Sequence, residues 1–190
     1  MQTRQMGGTM AKLEKYLGYI DRTNEWCGRI LSYLVPVMTI LIVIEIIMRY
    51  FFDAPTCWNN ELTQMIFGTY AVLAGGFVLL RNGHVHVDLI ISNFSRRTQA
   101  LLFIILTAPL FFLFTGMLLY HGTSFAWESL LVREHSQSAW NPPVYPWKMM
   151  LPLGGLLMLL QGIALLIRNV VVLVRGEEPV VARDGKRGDA

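Results

Sequence analysis

Four apolar runs, parted by short polar breaks, set the pattern of this chain. Ile30 to Phe52 is interrupted only by Glu45 and Arg49, and Leu62 to Leu80 lies uncharged between Glu61 and Arg81. Thr98 to Tyr120 is also uncharged, and Met149 to Ile167 runs from Lys148 to Arg168. A bilayer core takes about 20 apolar residues, and each run reaches or nears that length. The pattern predicts an all-α integral membrane protein with four transmembrane helices, at 30–52, 62–80, 98–120 and 149–167. Of its 190 residues, 54% are hydrophobic and 15% charged, which leaves no soluble domain of any size.

The flanks differ from the spans. Residues 1–29 place Leu13, Tyr16, Leu17 and Ile20 at helical spacing among charges, the pattern of an amphipathic helix on the inner surface. Residues 176–190 are charged, Gly-rich and without aromatics, so a disordered tail is expected beyond a membrane domain of residues 30–175. The first span is too long for a signal h-region and follows about thirty mixed residues, so it is expected to stay in the mature protein.

Lys and Arg set the orientation, because cytoplasmic loops are enriched in them. With the N-terminus inside, the inner side holds Arg4, Lys12, Lys15, Arg22, Arg29, Arg81, Arg96, Arg97, Arg168, Arg175, Arg183, Lys186 and Arg187. Only Arg49, Arg133 and Lys148 fall outside, so both termini are expected in the cytoplasm. Cys27 and Cys57 then lie about 30 Å apart, too far for a disulfide, which needs Cα atoms within about 7 Å.

Prolines and small residues shape the spans. Pro36 and Pro109 fall inside spans one and three, where kinks are expected. Span three keeps helix-forming residues as far as Glu134, and the prolines of "WNPPVYPWK" predict a stiff, extended connection into span four. In span two, Gly68, Ala71 and Gly75 share one face with Gly76 beside it. Span four offers Gly154, Gly155, Gly162 and Ala164, with Gln161 as a lone buried polar group. Such small faces mark helix contact in lipid, within the chain or with a partner subunit.

Charge inside a span is costly unless paired. Glu45 and Arg49 are four apart and share a face, and Glu61 opens span two at the same level. A cluster Glu45–Arg49–Glu61 is expected, as a staple between spans one and two or as a partner contact. The stretch "RNGHVHVDLI" follows span two. Gly83 is placed to end the helix. If extended, His84, His86 and Asp88 face one side and could ligate zinc; if helical, Val87, Ile90, Ile91 and Phe94 make an apolar stripe opposite His84, Asp88 and Ser92. The helical reading, a wet connector anchored by Arg96 and Arg97, fits better, because no fourth ligand lies near. The spans hold no facing histidines for haem, and the chain has no P-loop, nucleophile elbow or HExxH. No enzyme, cofactor, metal or nucleic-acid role is expected.

"RYFFDAPTCWNNEL", a small-residue-rich span, and then "RNGHVHVDLI" resemble the small membrane subunit of tripartite ATP-independent periplasmic (TRAP) transporters, the DctQ-like family. The residues that carry the resemblance are Arg49, Tyr50, Trp58, Glu61, Leu62, Gly75, Gly83, His84, Val85, Val87 and Asp88, with Pro152 before span four. The resemblance implies a subunit without catalysis in a bacterial inner membrane. Its partners would be lipids, a large permease that it scaffolds, and a periplasmic substrate-binding protein, in sodium-coupled uptake of an organic acid. Glu45, Arg49, Trp58, Glu61, Gly68, Gly75, Arg81, His84 and Asp88 are then candidates for the partner interface or a structural cluster. Trp127, Trp140, Tyr145 and Trp147 are candidates for periplasmic docking, although an interfacial aromatic belt explains the same rings. A free-standing four-helix membrane protein is the competing reading.

Overall fold

The computed structural model describes residues 2–81 and 95–175. The tail 176–190 and the segment holding Gly83, His84, His86 and Asp88 lie outside the described residues, as do the side chains of Leu13 and Arg96. Below, "inner" means the end of the molecule that carries the chain termini.

The first helix, α1 (Gln2–Ser32), runs for 31 residues before a break at Tyr33, and α2 (Leu34–Phe51) continues it. Pro36 accounts for the break. It has no N–H for the carbonyl of Ser32, and its ring crowds that carbonyl. The chain answers with a tighter turn in which Tyr33 N donates to Ile30 O at 3.1 Å. Span two is α3 (Asn59–Leu80), capped where Arg81 N donates to Phe77 O.

Span three starts at α4 (Arg96–Leu102), whose N-cap Ser95 accepts from Thr98 N. It passes through a π-helical stretch, Phe103–Thr107, into α5 (Ala108–Leu131). Pro109, the second residue of α5, is the cause: it frees carbonyls one turn earlier, and the widened turn accommodates them. Span four is the short α6 (Tyr145–Lys148) followed by α7 (Met150–Arg175), so it opens at Tyr145 rather than Met149. Pro152 falls in the first turn of α7, where an N–H would have no partner anyway.

Four helices are long and apolar enough to cross a membrane, and the described chain has no β-strand. This is an all-α, multi-pass membrane fold. Its centre is α7. Both α3 and α5 pack against it and scarcely touch each other, while α2 leans on α3 beyond its junction with α1, and α1 crosses α3 and α7 at their inner ends.

Glycine makes these approaches possible in span four. A Cβ on Gly154 would lie 2.8 Å from the carbonyl oxygen of Val72, and one on Gly155 would touch the backbone of Leu119. Gly162 receives the Phe111 ring, and Ala164 is fully buried. Span two uses Gly75 against Met158 and Gly76 against Asn24 and the Leu157 backbone. Gly68 has nothing within 4 Å, and Ala71 is exposed. The expected small face of span two is therefore split, with its inner half packed and its outer half open.

Three expectations need correction. Gln161 is not a lone polar group. It accepts from Asn24 Nδ2 at 2.9 Å and donates to Asp21 Oδ1 at 3.0 Å, and Asp21 also pairs with Arg168. The packed stripe of α1 is Leu17, Asp21, Asn24, Gly28 and Leu31, whereas Tyr16 is exposed. The proline-rich connection is also not extended. Ser136 N donates to Pro142 O, Val144 N donates to Glu134 O, and His135 bridges Pro143, so the segment folds back on itself. Arg133 and Asn141 take left-handed conformations at its turns, while Pro142 and Pro143 lie on the returning arm that pairs with residues 134–136.

Candidate functional site

The outer end of the molecule is built from two loops. Residues 52–58 return from α2 to α3, and residues 132–144 join α5 to α6. The first loop doubles back along α2: Ala54 N donates to Met48 O, and Thr56 donates to Glu45 through both its backbone N–H and its hydroxyl. Asp53 takes the left-handed conformation that lets the chain reverse. Glu45 also receives Arg49 Nη2 at 2.7 Å, the i,i+4 pair expected from spacing. Arg49 stays largely exposed while Glu45 is half-buried.

Glu61 does not join them. Its carboxylate accepts from Ser138 Oγ in the other outer loop, and among the described residues no ion pair links it to Arg49. Helix geometry gives the reason. Asn59 faces α2, with Nδ2 donating to Leu41 O at 2.7 Å, and a residue two further along points the opposite way. The expected cluster is two separate sites, Glu45–Arg49–Thr56 and Glu61–Ser138.

The loops also meet through Trp58 and Trp140, whose ring centroids lie 6.5 Å apart. Below Trp140, Lys148 pairs with Glu134 and sits 4.0 Å over the Phe125 ring. The Lys148 ammonium holds the Glu134 carboxyl below the usual glutamate range. These contacts tie α2, α3, α5 and α6 into one outer cap. Trp127 projects from it, Trp140 is partly open, and Tyr145 and Trp147 are half-buried. Beside Trp127, His121, Phe125 and Glu128 line a shallow groove of about 460 Å³.

At the inner end, Arg81 lies 5.6 Å from the Phe77 centroid and 3.9 Å from Glu25. Between the ends, two faces are left uncovered. α2 meets the chain along a narrow strip at Met38, Leu41, Glu45 and Met48, and exposes Ile40, Ile42, Val43, Ile46 and Ile47. α3 leaves Asn60, Gln64, Phe67, Gly68 and Ala71 open, with Gln64 Nε2 donating to Asn60 Oδ1 at 3.4 Å. Cys27 and Cys57 are both free, and the described residues hold no group of His, Cys, Asp and Glu placed to bind a metal ion.

A family model described as "Tripartite ATP-independent periplasmic transporters, DctQ component" matches residues 38–172, well over half of the chain. The chain belongs to the DctQ family. A search of curated proteins found no match. DctQ proteins are components of a tripartite transporter, and the match covers the outer cap, both open faces and all of α3 to α6. It begins at Met38, so Asp21 and Asn24 lie before it while Gln161 and Arg168 lie within it. The charged and aromatic sequence signals found Glu45–Arg49 and the cap tryptophans. They missed Ser138, Thr56 and Asn59, whose short polar side chains carry no sign of a distant partner.

Proposed function

We propose that this chain is the small membrane subunit of a TRAP-type secondary transporter, lying in a bacterial inner membrane and scaffolding the large permease subunit. The uncovered outer half of α3 carries the reading. A span that leaves Gln64, Gly68 and Ala71 open on one face offers a close-approach surface with a polar group beside it, as helix partners in lipid require. The bare sides of α2 extend that surface. Bound there, the subunit would widen the stationary part of the permease without performing chemistry. The outer cap, with Trp127 and the groove beside it, would meet a periplasmic substrate-binding protein that delivers an organic acid for sodium-coupled uptake.

The test is a mild-detergent pull-down of the tagged chain from its native membranes, with bound proteins identified by mass spectrometry. Recovery of a large multi-span permease is expected. A chain recovered alone, stable and monodisperse, would overturn the scaffold reading in favour of a free-standing membrane protein.

A further inference from the structure

The face of α1 that points away from the bundle has no role in that reading. Its depth is fixed by the opposite face. Gly28 packs on the Phe77 ring near the inner end of α3, and Asp21 pairs with Arg168, the first charge after the apolar run Met149–Ile167 of α7. Residues 19–29 therefore lie at the inner membrane–water interface. On the outward side, Tyr19, Arg22, Thr23, Trp26 and Arg29 border a shallow groove of about 440 Å³, with Tyr19 58% and Trp26 67% exposed.

The charges in this groove do not balance. Glu25, its one acid, is shared between Arg29 at 3.5 Å and Arg81 at 3.9 Å. Arg22 makes no hydrogen bond or ion pair among the described residues. The polar groups flanking it, the Tyr19 hydroxyl, the Trp26 indole N–H and the Arg29 guanidinium, can all donate. A phosphate, which is anionic and rich in acceptor oxygens, is the complement of such a set. Further along the same face, toward the bilayer core, Ile30 and Tyr33 are exposed and offer apolar surface. Donors at the interface followed by apolar surface one turn deeper match the order of headgroup and acyl chain in a lipid.

We propose that this face of α1 binds an anionic phospholipid of the inner leaflet, with Arg22 holding the phosphate and Tyr19 and Trp26 flanking it. The inference is independent of whether a permease binds α2 and α3.

The purified full chain would be incubated in detergent with phosphatidylglycerol or phosphatidylcholine, and retained lipid counted by native mass spectrometry. Preferential retention of phosphatidylglycerol is expected, reduced about fivefold by Arg22→Gln, the scale of one basic residue's attraction to an anionic surface. Arg22→Lys should keep the preference. Equal retention of the two lipids, or no change with Arg22→Gln, would overturn the proposal. A photo-crosslinking residue at Tyr19 in intact membranes separates the other occupant. A lipid-sized adduct supports the proposal, and a protein adduct at this position overturns it.

Discussion

Asn24 Nδ2 donates to Gln161 Oε1 at 2.9 Å, joining two fully buried side chains that lie 137 residues apart. Through this bond and the Asp21–Arg168 pair, α1 is held against the inner half of α7. A buried amide deprived of its partner loses a hydrogen bond without regaining water. Gln161→Leu should therefore cost about 1–3 kcal/mol. Asn24→Leu combined with Gln161→Leu should cost less than the two single changes added together, because the pair of orphaned groups is removed. Thermal unfolding of the detergent-solubilised variants measures this, and strict additivity would mean the two residues act independently.

The outer loop carries a pH dependence with a definite sign. Glu134 has its pKa lowered from 4.5, chiefly by the Lys148 ammonium that donates to it. A depressed carboxylate stabilises the folded state above its unfolded pKa, and that contribution is lost as pH falls through the lower folded value. The loop should stay closed from neutral pH down to the ordinary glutamate value of 4.5 and loosen only as pH falls below it. Hydrogen exchange at Val144, whose N–H is held by Glu134 O at 2.9 Å, reports the opening once corrected for the intrinsic rate. Lys148→Met should shrink the acid step, since Lys148 is the largest cause of the lowering and Ser129 a smaller one, and a step of unchanged size would assign it to another group.

Hydrophobic periodicity reveals spans but not what joins them. The four apolar runs, the break near Pro36, the distortion before Pro109 and the outward extension of span three follow from local physics and were legible. The packed face of α1 was not, because two of its five members are Asp21 and Asn24. Those residues look like surface positions until Gln161 and Arg168 arrive from the other end of the chain. Glu61 misled for a related reason. Its level in the membrane could be read, but its direction around α3 depended on Asn59 facing α2, and nothing local announces that contact. The folded-back course of residues 132–144 rests on backbone bonds between residues up to ten positions apart, which a count of prolines does not show.

Separate sites at the outer end imply independent energetics. Arg49→Ala removes the partner of Glu45 but leaves its bonds from Thr56, and Glu61→Gln alters only the contact with Ser138. Sites with no shared partners add within about 0.3–0.5 kcal/mol. The double variant Arg49→Ala/Glu61→Gln should match the sum of its singles in unfolding temperature and in yield of complex. A coupling above about 1 kcal/mol would restore a single Glu45–Arg49–Glu61 cluster.

Two glycines separate packing inside the chain from contact with a partner. A Cβ on Gly154 would meet both Cγ1 and the carbonyl oxygen of Val72 at distances no methyl can share, and the backbone part of that obstacle has no rotamer to move to. Gly154→Ala should force α3 and α7 apart and cost about 1–3 kcal/mol in the isolated chain. Gly68 faces open space on α3, so Gly68→Leu should leave the isolated chain's unfolding temperature unchanged. The same change should lower recovery of a large permease in the pull-down at least severalfold, because close approach in lipid depends on small side chains. Loss of stability without loss of the partner would place Gly68 in an internal contact. Loss of neither would move the interface to the bare sides of α2, where Ile42→Trp and Ile46→Trp become the informative variants.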